Sequence, residues 1–161
     1  MSLEAVRDAS HVARVRPMHF TDIEAVTAIE SRSYSLPWAM GIFSGQLARE
    51  TGLALVCEVD GRVAGYLIAD MFVDVWHLMN LCVDGSYRRQ HIASQLIEGY
   101  FAITERKGHR GHTLEVRVSN TGAIELYRSF GFVATGVRPG YYSDDREDAV
   151  IMWKDWEGES A

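Results

Sequence analysis

Twice in its second half this chain runs from an apolar, strand-like stretch through a short polar loop into a helix-like stripe, and that repeated passage limits the fold more than any other feature. The first passage is Cys82-Val83-Asp84-Gly85-Ser86-Tyr87-Arg88-Arg89-Gln90-His91-Ile92-Ala93-Ser94. The second is Leu114-Glu115-Val116-Arg117-Val118-Ser119-Asn120, followed by Ala123-Ile124-Glu125-Leu126-Tyr127-Arg128-Ser129-Phe130-Gly131-Phe132. The first turn of a helix has N–H groups without an intrahelical partner, so a strand opening into a helix through a short loop makes an anion-binding end. Two such passages in succession point to a cleft with a phosphate-bearing ligand at one end and reactive side chains at the other.

The rest of the pattern sets these passages in a mixed α/β chain. Residues 12–16 alternate as a short strand ending at Pro17. Thr21 with Glu24 reads as a capping box, and Ile23, Val26 and Ile29 mark one face of the helix behind it. Ser35-Leu36-Pro37-Trp38 interrupts the chain, and 39–50 reads as a second helix. Strand-like runs over 53–59 and 62–70 flank Asp60-Gly61, a strong hairpin signal because a type I′ turn needs positive φ at both positions. A third run over 73–83 continues an antiparallel meander. Ile92, Leu96 and Tyr100 then form a helical stripe, with Ala93, Ile97 and Phe101 beside it, up to Gly108. Strands over 112–118, 132–137 and 147–156, and a helix over 120–130 closed by Gly131, complete the order. Antiparallel strands come first and βαβ-like crossovers later. With no repeat, low-complexity tract or linker, the 161 residues predict one domain.

The net charge of −6 argues against a general nucleic-acid binder, which needs a broad basic face, and suits a partner carrying positive charge such as a free amine. No apolar run approaches the roughly 18 residues that span a bilayer, and the first twenty residues lack a signal-peptide core, so no membrane contact and a cytoplasmic location are expected. Cys57 and Cys82 sit in apolar strand-like runs and read as buried small hydrophobes rather than a disulfide. The six histidines, His109 and His112 included, show no metal-ligand spacing, so no metal is expected.

Arg88, Arg89 and Gln90 precede a helix start, where guanidinium groups and free amides could grip a pyrophosphate; a solvated basic helix entry is the plainer alternative. The segment has neither the G-x-x-x-x-G-K-S/T pattern of nucleotide triphosphatases nor the G-x-G-x-x-G of dinucleotide binders. It does resemble the Q/R-x-x-G-x-G/A coenzyme A loop of the GCN5-related N-acetyltransferases, with Arg88 first and Ala93 last. The run from Leu114 to Asn120 with Ala123-Ile124 and Leu126-Tyr127, and the later Tyr141-Tyr142 and Arg146-Glu147-Asp148-Ala149, are similar to the RimI-type ribosomal-protein-alanine N-acetyltransferases of that superfamily. The likeness spans about residues 12–155 and is strongest from 77 onward. One departure stands out: His91 occupies the position of the loop's first glycine, where a side chain could crowd the pyrophosphate or add a hydrogen bond to it.

The resemblance implies a single N-acetyltransferase domain over 1–161, with 1–11 a flexible extension and a mixed, mostly antiparallel sheet splayed between its fourth and fifth strands and flanked by helices. It implies acetyl-coenzyme A as co-substrate, held by Arg88, Arg89, Gln90, His91, Ile92, Ala93 and Ser94, by the backbones of Leu81, Cys82 and Val83 along the acetyl-pantetheine arm, and by Asn120. Glu115 is the implied base, through a water where needed; a glutamate ion-paired with Arg117 on the same strand face is the alternative. Tyr127 is the implied acid for the thiolate, against a core tyrosine on a stripe with Ile124 and Phe130. Tyr34, Leu36, Trp38, Tyr141 and Tyr142 are implied on the acceptor side, where they would admit a chain end; ordinary loop-anchoring packing is the alternative. A covalent acetyl-Cys82 intermediate has no visible base to support it.

A peptide α-amine titrates near 7.7–8.0 and a lysine near 10.4, a gap of about 3.4 kcal/mol in deprotonation, so one carboxylate serves an N-terminal amine more readily. The resemblance implies acetyl transfer to a protein N-terminus, with the alanine of a small-subunit ribosomal protein as acceptor, and the cheaper deprotonation is compatible with it. Another amine acceptor (lysine, polyamine or antibiotic) and a non-catalytic acyl-coenzyme A sensor are the alternatives, and the oligomeric state is not legible.

Overall fold

The computed structural model describes residues 12–106 and 108–156; the extension expected over 1–11 lies outside the described residues. Seven strands are present among them: β1 (Ala13–Pro17), β2 (Gly52–Val59), β3 (Arg62–Phe72), β4 (Val75–Val83), β5 (Gly111–Arg117), β6 (Val133–Arg138) and β7 (Ala149–Asp155). Four α-helices accompany them: α1 (Ile23–Ser33), α2 (Met40–Leu47), α3 (Ile92–Thr104) and α4 (Thr121–Ser129). The strands follow the order β1-β2-β3-β4-β5-β7-β6 in one sheet. β4 and β5 pair in parallel, and the other recorded ladders, β1–β2, β5–β7 and β6–β7, are antiparallel.

The expected elements are all present, with ends moved by one to three residues. Asp60 and Gly61 take φ of 52° and 78°, the paired positive values that a type I′ turn needs, and so the β2–β3 hairpin forms as its dipeptide requires. The helix entry near residue 21 differs from expectation. No Thr21–Glu24 capping box closes it; a 3₁₀ turn over Phe20–Asp22 leads into α1. Asp22 accepts from the His19 amide at 2.8 Å and is gripped by both Arg16 nitrogens at 2.7 and 2.9 Å. A buried carboxylate held by a guanidinium fork outcompetes a solvent-facing hydroxyl for the entry geometry.

The β4–β5 ladder is short. Val75, Trp76 and His77 pair with Gly111, His112 and Thr113, and no further β4–β5 pair is recorded among the described residues, although β4 runs on to Val83 and β5 to Arg117.

By contact density the described residues group into two compact units: 12–68 with 80–102, and 69–79 with 103–106 and 108–156. The first buries Val26, Ile29, Phe43, Leu55, Val56, Leu67, Leu96, Ile97 and Tyr100. The α3 face expected from the Ile92–Leu96–Tyr100 stripe is the buried one, each such side chain contributing about 1.5–3 kcal/mol. The second unit buries Leu114 and Val116, alternate residues of β5, Ile124 and Tyr127 on the inner face of α4, Phe132 just before β6, and Met152 on β7. Both cysteines are free and buried.

Candidate active site

The first unit carries the loop that leads from β4 into α3. The Asp84 amide donates to the Ala64 carbonyl at 2.8 Å, and Tyr87 N to Asp84 O at 2.9 Å, closing a 3₁₀ turn over Gly85–Tyr87. Arg32 then fixes the loop's origin, its Nε and Nη2 reaching the two Asp84 carboxylate oxygens at 3.1 and 2.8 Å. That pairing holds the Asp84 carboxyl below the usual carboxylate range. Arg89 and His91 both take left-handed backbone, φ 63° and 58°, just before the helix starts at Ile92. Left-handed residues alternating with ordinary ones turn successive amides toward a common centre, an anion-binding arrangement.

A pocket of about 290 Å³ opens at this loop, lined by Val83, Tyr87, Arg88, Arg89, His91, Ile92, Ala93 and Ser94. Seven of those eight were expected from sequence; Tyr87 was not, because nothing in its spacing marks it as more than a turn residue. Arg88, Arg89 and Gln90 are exposed, and neither arginine has an ion-pair partner among the described residues. Two unneutralised guanidinium groups at a helix start suit a polyanionic ligand. The left-handed conformation at His91 explains why a glycine is usual there: a side chain at that φ costs about 1–2 kcal/mol.

In the same unit, of the residues expected on the acceptor side, Tyr34 and Leu36 are exposed, while Trp38 is half-buried with its ring 5.3 Å from that of Phe43. The Tyr34 hydroxyl donates toward the carbonyl of Leu81, one of the β4 residues expected along the cofactor arm, at 3.2 Å. Cys82 is buried, with its thiol 4.0 Å from the Val83 carbonyl.

The second unit carries the acid–base candidates. Glu115 projects from β5 as a partly buried carboxylate, with His77 Nε2 at 2.7 Å from Oε2 and Arg138 Nε at 3.5 Å from Oε1. The His77 hydrogen bond leads in holding its carboxyl below the ordinary range; burial opposes, and the charges of His77 and Arg138 add to the lowering. The expected alternative partner, Arg117, goes elsewhere: it binds Asp144, Asp145 and Glu147 at 2.9–3.1 Å, and its Cζ lies 4.0 Å above the Tyr142 ring. Adjacent side chains of opposite parity on a strand face opposite ways only one residue apart, so 115 and 117 share a face; the loop carboxylates nonetheless outnumber Glu115 and capture the guanidinium.

Tyr127 lies on the inner face of α4, 7% exposed, with its ring against Phe132 at 5.8 Å. Its hydroxyl has no hydrogen-bond partner among the described residues, and burial raises its pKa, so the phenol stays protonated at neutral pH. Asn120 caps α4, its Oδ1 accepting from Ala123 N at 3.2 Å. Tyr141 is exposed and stacks edge-on with half-buried Tyr142, centroids 5.1 Å apart. His77 and Arg138 were missed from sequence, since their relation to Glu115 depends on strand register and not on spacing along the chain. No group of three or more His, Cys, Asp or Glu side chains is placed to hold a metal among the described residues, and none of the described helices is long and apolar enough to cross a membrane.

The acetyltransferase (GNAT) family matches residues 22–132. A [ribosomal protein bS18]-alanine N-acetyltransferase of Escherichia coli K12 is 35% identical over 140 residues, 86% of this chain and 94% of that protein. An N-alpha-acetyltransferase of Sulfurisphaera tokodaii is 30% identical over 152 residues, covering 86% and 90%. The crystal structure of the ribosomal-protein-S18-alanine N-acetyltransferase from Escherichia coli superposes with a TM-score of 0.84 at 32% identity, covering 93% of this chain and 97% of that one. With its strand order, its anion loop and these relatives in agreement, the chain belongs to the acetyltransferase (GNAT) family.

Proposed function

We propose that this protein transfers the acetyl group of acetyl-coenzyme A directly to the N-terminal α-amine of a protein, with the N-terminal alanine of a small-subunit ribosomal protein as acceptor. The observation that carries the acceptor is the likeness to a ribosomal-protein-alanine N-acetyltransferase at 35% identity over 86% of the chain. The loop pocket supports the donor. Its left-handed residues, helix-start amides and Arg88 and Arg89, which have no ion-pair partner among the described residues, fit the pyrophosphate of coenzyme A. Both compact units are taken as parts of one catalytic domain, acting in the cytoplasm where ribosomal proteins are made.

In this reading the acceptor nitrogen attacks the thioester carbon and the C–S bond breaks. The amine loses one proton, taken by Glu115, and the departing thiolate gains one, given by Tyr127. An α-ammonium near 8 against a carboxyl below its usual 4.3 makes a complete early transfer uphill by about 5 kcal/mol or more. The attacking species is therefore the neutral amine already present, about a tenth of an α-amine near 8 at pH ~7, and Glu115 takes its one surplus proton as nitrogen bonds to carbon and grows acidic, with His77 hydrogen-bonded beside it.

Intact-mass measurement of peptides incubated with protein and acetyl-coenzyme A tests the proposal. One acetyl group on a free N-terminal alanine, and none on the same peptide with a blocked end, is expected. Acetylation of an internal lysine in the blocked peptide would overturn it.

A further inference from the structure

We propose that Glu30, a residue with no place in the chemistry above, positions the 34–38 loop for acceptor recognition; the inference rests on the proposed function. Glu30 lies on α1 and is only 2% exposed. Removing a carboxyl group from water is costly unless its lone pairs meet donors, and here three do. The Tyr66 hydroxyl donates to Oε1 at 2.6 Å and Asn80 Nδ2 to the same oxygen at 2.8 Å. The other oxygen, Oε2, accepts from the Trp38 backbone amide at 3.0 Å. One face of the carboxyl thus holds β3 and β4, and the other holds the end of the loop.

The same hub reaches the loop's beginning. Asn80, oriented by Glu30, turns its Oδ1 to the Tyr34 hydroxyl at 3.4 Å, and that hydroxyl also lies 3.2 Å from the Leu81 carbonyl. At the far end the Trp38 ring leans on Phe43, fully buried, which meets Tyr66 edge-on at 5.6 Å. Both ends of the loop are therefore tied to one buried group, while Leu36 between them stays 60% exposed. An exposed apolar side chain held between two anchors is a preorganised contact: the ordering cost is met before the acceptor arrives.

Substitution Glu30→Gln separates the two faces. A carboxamide has one acceptor oxygen, which keeps Tyr66 and Asn80, and its NH₂ then meets the Trp38 N–H donor to donor. For E30Q the expected results are faster deuterium exchange at the Trp38 amide and a peptide KM raised roughly three- to tenfold, with kcat and the KM for acetyl-coenzyme A unchanged. Tyr66→Phe removes a donor from the opposite face and should lower the thermal midpoint without changing the peptide KM. Should E30Q not fold, Glu30→Asp, shorter by one methylene, reads the same tether. Unchanged Trp38 exchange, or an E30Q that lowers the midpoint and alters kcat and both KM values together, would reduce Glu30 to a structural residue. A wild type that acetylates no peptide α-amine would overturn the function and this inference with it, whereas an active wild type with an unaltered E30Q peptide KM overturns the inference alone.

Discussion

His77 Nε2 stands 2.7 Å from Glu115 Oε2, joining two strands that pair in parallel for only three residues. The ladder sets His77 opposite Thr113, and Glu115 lies two residues further along β5, on the face that Thr113 shares. The last paired position thus delivers the imidazole to the carboxylate where the ladder stops.

Removing that imidazole should shift the pH profile in a definite direction. The His77 hydrogen bond is the leading influence that lowers the Glu115 carboxyl, and burial opposes it. His77→Ala therefore raises the Glu115 pKa. If the ionised carboxylate is the working base, the acid limb of kcat/KM moves to higher pH. Glu115→Gln should cost roughly a hundredfold or more in kcat with peptide. An acid limb that stays put in H77A would detach Glu115 from the proton transfer.

The β4–β5 relation marks where the sequence stops being informative. Asp60-Gly61, the Ile92–Leu96–Tyr100 stripe and the Gly131 stop (φ 97°) are local devices, so they predict their elements from spacing alone. The loop residues from Val83 to Ser94 were legible for the same reason, being contiguous. His77, Arg138 and Glu30 were not. Each matters through a partner 23–50 residues away in the chain, as with Glu30 and Asn80, and only register brings the two together. Arg117 shows the converse error: a neighbour on the same strand face attracts the eye, while Asp144, Asp145 and Glu147 arrive from a loop whose path has no periodicity to read.

His91 holds a left-handed backbone with a side chain attached. Glycine meets no steric penalty there but adds freedom to the unfolded chain, so His91→Gly should stabilise by a net of about 0.5–1 kcal/mol in urea unfolding. Calorimetric titration with acetyl-coenzyme A decides what the imidazole does for the ligand. Tighter binding by H91G identifies crowding, and weaker binding identifies a lost hydrogen bond. Stability that falls in H91G would contradict the strain argument.

A buried histidine away from these loops predicts acid sensitivity. His112 on β5 is 2% exposed, with its ring 5.1 Å from His109 and 6.4 Å from Phe132. Burial, aided by His109 and Lys154, brings its pKa down to about 4 from 6.5. The native state then keeps the imidazole neutral while the unfolded chain takes a proton below about 6.5. Its contribution is fully present above that pH and is lost as pH falls toward 4, up to about 3 kcal/mol in all. Urea unfolding between pH ~7 and ~4.5 should show that slope, and His112→Gln should flatten it. Equal slopes in the two proteins would place the acid sensitivity elsewhere.

Tyr127 predicts a separation of stability from turnover. Its ring packs against Phe132, and its hydroxyl makes no hydrogen bond to another described residue. Phenylalanine keeps the ring contact and removes a hydroxyl that bonds to no other described side chain, a change close to neutral for stability. In the proposed reaction the same hydroxyl supplies the proton to the thiolate, and no other phenol on α4 can replace it, since Tyr127 is the helix's one tyrosine. Tyr127→Phe should therefore unfold close to the wild-type temperature, yet lose roughly a hundredfold or more in kcat with little change in either KM. A thiol leaving group of lower pKa in place of coenzyme A would need less protonation, so the deficit should shrink with such an acetyl donor. Loss of midpoint together with unaltered kcat would make Tyr127 a packing residue and move the acid to another group.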